Sequence, residues 1–134
     1  MNYWLVKTEP DTYSWNDLLK DKKTIWDGVR NFQARSHLKK MEKGDIVFIY
    51  HTGEEKAIIG QAQVAKPAYP DPKDAEWVAV ELAAQKQLKK PITLAQIKSD
   101  KRLSDMVLVR ASRLSVQPVK IAEYDLIMGL SEAK

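Results

Sequence analysis

The stretch "DIVFIYHT" at 45–52 constrains this chain more than any other. A short, unbroken run of apolar, β-branched and aromatic residues reads as a strand. "GEEK" at 53–56 supplies a turn, and "AIIGQAQVAKPAY" at 57–69 returns as a second strand paired to the first. Gly60 inside that strand has no side chain to pack, which predicts a bulge or the close approach of another group to the backbone.

The remaining elements fall around this hairpin. "NYWLVKT" alternates and opens the chain as a strand over 2–8, in which one of Tyr3 and Trp4 faces the core and the other faces away. Ser14 is placed to cap a helix with Trp15, Leu18 and Leu19 on its apolar face. "KTIWDGV" at 23–29 is irregular. Asn31 caps a second helix, with Phe32, Ala34, Leu38 and Met41 at helical spacing. "PDPKD" at 70–74 reads as a loop. "EWVAVELAAQKQL" suits helix or strand, and its alternating core favours a strand over 76–83 and on towards 88. Thr93 caps a short helix ending near Lys98, a mixed stretch leads to a strand near 114–119, and "KIAEYDLIMGL" forms a closing helix, apolar at 121, 124, 127, 128 and 130. Adjacent strands with helices inserted predict an α+β fold or a small, mainly antiparallel barrel. The regular βαβ alternation and the G-x-G-x-x-G of a dinucleotide fold are missing.

Length and composition narrow the function classes. A chain of 134 residues is expected to form one domain around one core. No stretch approaches the ~20 apolar residues of a membrane span. The first residues lack the basic and apolar regions of a secretory signal, and there is no cysteine. Disulfide frameworks and thiolate zinc sites are thereby excluded, and an intracellular protein is expected, cytoplasmic if bacterial, with the nucleus a further option in a eukaryote. Net charge is +4, unevenly spread. Residues 85–113 carry eight Lys/Arg against Asp100 and Asp105, whereas 51–84 hold six acids against three lysines. A basic region on a balanced domain suits a polyanion, and equally a solvated lysine surface.

Motifs for catalysis are missing. Two histidines, His37 and His51, stand alone, without H-x-x-x-H, G-x-S-x-G or P-loop patterns, and no metal-ligand spacing occurs. Asp27 suits a general base, although a carboxylate in such a turn more often accepts backbone or arginine hydrogen bonds. Binding features are richer. Of four tryptophans, Trp15 and Trp77 read as core, and Trp26 lies in an irregular segment among Asp27, Gly28, Arg30 and Asn31. Its indole suits either a plug at the end of the core or a π-face on which a base stacks. Amide and guanidinium groups near a helix start suit a base edge or a phosphate.

The motifs "YWLVKTEPDTYSW", "WDGVRNFQAR", "MEKGDIVFIYH", "IIGQAQV", "AYPDP" and "SRLSVQPV", in this order, resemble the EVE domain family from about residue 2 to 130. That resemblance implies a PUA-like β-barrel with flanking helices. It also implies non-catalytic binding of a modified base, in DNA or RNA, in an aromatic pocket, without cofactor or metal. The alternatives are a small enzyme on modified nucleosides and a general RNA-binding module. Carried onto this sequence, Trp26 is the cage aromatic and Lys7, Thr8 and Glu9 form the floor. Asp27, Arg30 and Asn31 supply hydrogen bonds, and His51, Ser112, Arg113, Leu114 and Ser115 form the facing wall. A second aromatic wall is expected from Trp4, Tyr50 or elsewhere. Arg35, Lys39, Lys89, Lys90 and Arg110 are the expected contacts to the nucleic-acid backbone. "KTE" stands where the family commonly has "KSE", and Ser36 where it often has Asn.

Overall fold

The computed structural model describes residues 1–133. Its strands are β1 (Tyr3–Thr8), β2 (Lys23–Trp26), β3 (Ile46–His51), β4 (Ala57–Asp71), β5 (Asp74–Thr93) and β6 (Val116–Val119). Its α-helices are α1 (Trp15–Asp21), α2 (Phe32–Lys40), α3 (Leu94–Ser99), α4 (Val107–Arg110) and α5 (Ile121–Glu132). One sheet holds every strand in the order β2-β5-β4-β3-β1-β6. Only the β1–β3 pair is parallel. The α+β expectation and the mainly antiparallel core are both met.

β3 explains why its run is unbroken. All six of its residues are buried, because helices cover the sheet on both sides and leave neither face polar. Strand alternation then divides the interior in two. On one side Trp4, Val6, Val47, Ile49, Val80 and Leu82 pack with Trp15 and Leu18 of α1 and Ala34 and Leu38 of α2. On the other, Leu5, Phe48, Tyr50 and Ile58 pack with Ile97 of α3, Leu103 and Met106 between α3 and α4, and Ile127 of α5. Tyr3 and Trp4 therefore each find a covered side. Trp4 is 5% exposed, and Tyr3 stacks on Tyr124 with ring centroids 4.3 Å apart, which corrects the expectation that one of them faces away.

Several boundaries differ from the sequence expectation. "PDPKD" is mostly strand, since β4 runs to Asp71 and β5 starts at Asp74. β5 continues past 88 to Thr93, and register shifts along the β4–β5 ladder let so long a pair bend. "KTIW" is not irregular but an edge strand on β5, with Trp26 opposite Val80. Leu19 (42% exposed) and Ile121 (61%) leave the apolar faces assigned to them. Trp77 is half-buried rather than core. At Gly60 both expectations hold together. The ladder shifts register there, and an added Cβ would lie 2.5 Å from the Trp15 ring.

β2 and β6 lie at opposite ends of the strand order. Yet Thr24, Ile25 and Trp26 of β2 and Ser115, just before β6, line one cavity. The sheet thus rolls until its two edges face each other across that cavity.

Candidate functional site

The cavity measures ≈550 Å³, within the ~300–1,000 Å³ of small-ligand sites. Three segments and Ser115 build it. Lys7 and Thr8 end β1 and Glu9 follows, Thr12 and Tyr13 precede α1, and residues 24–30 run from β2 into the turn before α2. The ladder to β6 is extended at the cavity by the Lys7 N–H, which donates to the Ser115 carbonyl at 2.9 Å.

The turn after Trp26 is shaped by Gly28 and a distant carboxylate. Gly28 has φ +77°, a left-handed conformation that side chains disfavour. Its N–H donates to Asp71 Oδ2 at 2.9 Å. The buried Asp71 side chain also accepts from the Lys73 N–H at 2.8 Å and from Arg30 Nη1 at 3.0 Å. Burial alone would raise the pKa of this carboxyl. The two backbone N–H groups and the Arg30 guanidinium outweigh burial and hold it at about 2. Arg30, which lines the cavity, is thus braced by Asp71. Asp27 lies 3.8 Å from Lys73 Nζ instead. Asp71 carries no local signal in the sequence, being 43 residues from Gly28.

Two aromatic rings stand in the cavity wall. Trp26 and Tyr13 meet edge to face, with centroids 6.2 Å apart and planes at 82°. The Tyr13 hydroxyl donates to Asp21 Oδ2 at 2.9 Å, and the Thr8 hydroxyl donates to the Tyr13 carbonyl at 2.6 Å. Burial, the leading cause, pushes the Tyr13 phenol above its ordinary pKa. Trp4 and Tyr50, the rings named from sequence for a second wall, are 5% and 4% exposed within the cores. Tyr13 takes that place. The available signal was an aromatic just past "KTEP", held next to the Ser14 cap of α1, whose capping box with Asp17 is complete.

Lys7 is half-buried, and its ammonium donates to the Ser112 carbonyl at 2.6 Å. Desolvation lowers its pKa below the usual lysine value. This contact ties the floor to the 112–115 segment.

The other residues named from sequence sit as follows. Lys7, Thr8, Glu9, Trp26, Asp27, Arg30 and Ser115 share the main cavity. Asn31, Ser112, Arg113 and Leu114 line a smaller one of ≈300 Å³ at the start of α2. There Asn31 Oδ1 accepts from the Ala34 N–H at 2.9 Å and caps the helix. His51 is buried behind the floor. Its Nε2 accepts from the Trp15 N–H at 3.0 Å, and its Nδ1 faces Glu55 Oε1 at 2.9 Å. The Trp15 bond leaves Nε2 without a proton and places the ring proton on Nδ1. Arg35 stacks against Phe32 and Trp77, and Lys39 is exposed on α2. Arg110 pairs with Asp105. Lys89 and Lys90 are exposed at the far end of β5. They lie nine and ten residues past Val80, the partner of Trp26, or ~30 Å of extended strand. No cluster of three or more metal-ligating side chains occurs among the described residues.

Comparison with known proteins agrees with this architecture. Human thymocyte nuclear protein 1 is 34% identical across 98% of this chain and 74% of its own length. The solution structure of Rpa0253 from Rhodopseudomonas palustris superposes with a TM-score of 0.93 at 44% identity, covering 98% of this chain and 93% of that one. The crystal structure of the human THYN1 protein in complex with 5-methylcytosine-containing DNA superposes with a TM-score of 0.94 at 31% identity, covering 100% and 99% of the two chains. The family model described as "EVE domain" matches residues 2–130, so that the rolled PUA-like sheet, its two helical layers and the motifs around Trp26 all place this chain in the EVE domain family.

Proposed function

We propose that the cavity holds one modified base, flipped out of a nucleic-acid strand, and that the protein reads the modification without catalysing a reaction. The observation that carries this is the Trp26–Tyr13 corner, set in a cavity whose remaining wall joins the polar end of β1 to the 24–30 segment, with Ile25 and Val29 as its apolar part. An indole π-face stabilises a stacked base by ~1–3 kcal/mol, which offsets the cost of unstacking it from its neighbours. Polar groups at the end of β1 and on the Gly28 turn then meet the base edge. A base of the wrong pattern leaves such groups unpaired. Further support comes from the human relative's complex with 5-methylcytosine DNA at 31% identity.

Two of the ionisable groups that line the cavity are engaged structurally. The Lys7 ammonium is bound to a carbonyl, and Asp27 stands beside Lys73. These commitments favour binding over turnover.

Burial of one methyl group yields about 0.8 kcal/mol, or about fourfold in affinity. The test is titration of fluorescent oligonucleotides that differ only in one base: cytosine, 5-methylcytosine, 5-hydroxymethylcytosine, and methylated RNA bases. Wild type should prefer one modified base by at least about fourfold. Trp26→Ala should lose that preference while keeping salt-sensitive binding to every strand. Equal binding across the panel by wild type would identify a general nucleic-acid module instead.

A further inference from the structure

Beside the cavity lies an exposed aromatic stack that its chemistry leaves unused. Phe32, at the first turn of α2, is 70% exposed. Its ring stacks on Trp77 of β5 with centroids 5.2 Å apart and planes at 29°. The Arg35 guanidinium lies over both rings, 4.9 Å from the Phe32 centroid and 5.0 Å from that of Trp77. Arg30 stands 5.7 Å from the Trp77 centroid, and Arg30 also lines the cavity. One guanidinium therefore belongs to both places, and a chain leaving the cavity over Arg30 meets the stack next.

We infer that the Phe32–Trp77 stack, with Arg30 and Arg35, is a second subsite that holds the nucleotide adjoining the base in the cavity. It presupposes the base-binding cavity proposed above. Three features favour a nucleotide over an apolar partner. Two guanidiniums flank the rings, Arg30 paired with Asp71 and Arg35 in no ion pair among the described residues, so the patch joins π-surface to the positive charge of Arg35, which is the pairing that single strands require. The buried carboxylate beside Arg30 is already committed, since Asp71 is held by Arg30 and two N–H groups. Arg35 uses Nη1 to donate to the Glu76 carbonyl at 2.9 Å, and its guanidinium carries four further N–H donors with which to meet a phosphate. Burial of the stack against the sheet does not explain Phe32, most of whose surface remains in water.

The experiment compares a modified nucleoside with a trinucleotide carrying the same base centrally, each titrated against wild type, Phe32→Ala, Phe32→Tyr and Arg35→Gln. Phe32→Ala should bind the trinucleotide about tenfold more weakly while binding the nucleoside as wild type does. Phe32→Tyr should restore most of the loss. Arg35→Gln should reduce the slope of log affinity against log salt for the trinucleotide by about one. Trinucleotide binding unchanged in both Phe32→Ala and Arg35→Gln overturns the subsite and leaves the cavity proposal standing. A nucleoside that fails to bind wild type defeats the cavity proposal and, with it, the assignment of the stack as the subsite next to that cavity.

Discussion

Gly60 is the glycine at which the packing is least forgiving. The Trp15 indole lies flat enough on its backbone that a methyl group would come within 2.5–2.6 Å of three ring atoms. Both partners are central, since Trp15 is 1% exposed and its backbone N–H fixes the His51 ring. Gly60→Ala should therefore destabilise the protein by about 1–3 kcal/mol, the usual result of overfilling a packed core. Urea denaturation followed by tryptophan fluorescence measures it, and an unchanged midpoint would show that the ring moves aside freely. The oddity of Gly60 was visible in the sequence, as a glycine inside an apolar strand. That the approaching group is Trp15 was not, because 45 residues separate them in the chain.

At the scale of an element, the turn from β2 into α2 depends on the end of β4. Asp71 closes β4 and pins Gly28, Lys73 and Arg30 at once. Its carboxyl is held at about 2, below the ordinary 3.8. A depressed carboxylate contributes stability above its unfolded pKa and loses it as pH falls through the folded one. The Asp71 contribution should therefore be complete above pH ~4 and vanish towards pH ~2. Thermal melts of wild type and Asp71→Asn should differ most near neutrality and converge across that window. A constant difference down to pH ~2 would mean that the charge of Asp71 contributes nothing. Asn31 shows the opposite degree of legibility. Its role as the α2 cap followed from residue type and position alone, and its side chain accepts from Ala34 as a cap does. β2 escaped detection because four residues with alternate partial exposure offer too short a pattern to separate from a turn.

For the whole molecule, charge and cavity do different work. The basic excess of 85–113 folds mainly into the far end of β5 and the helices of the second core. Two of its arginines, Arg102 and Arg110, are paired there with Asp100 and Asp105. Under the proposed function, attraction to a polyanion is general, whereas discrimination belongs to the cavity. Raising salt from about 50 to about 200 mM should weaken binding of modified and unmodified oligonucleotides in parallel. The ratio of the two affinities should stay constant, because contacts to the base release no counterions. A ratio that collapses with salt would place the preference in the backbone contacts.

What the sequence determined by itself was local. The apolar run of β3, the caps Ser14, Asn31 and Thr93, the glycine in β4 and the aromatic in a polar turn are written in period and residue type, which act over a few residues. The family motifs extended that reading to the fold and to the segments that meet. Tertiary structure decided which side chains face one another. Tyr13 rather than Trp4 or Tyr50 became the second ring of the cavity, Asp71 became the brace of Arg30, and His51 turned to hold α1. Each depends on how far the sheet rolls and where its long ladders shift register. That curvature is a sum over the whole sheet, and no single stretch of sequence carries it.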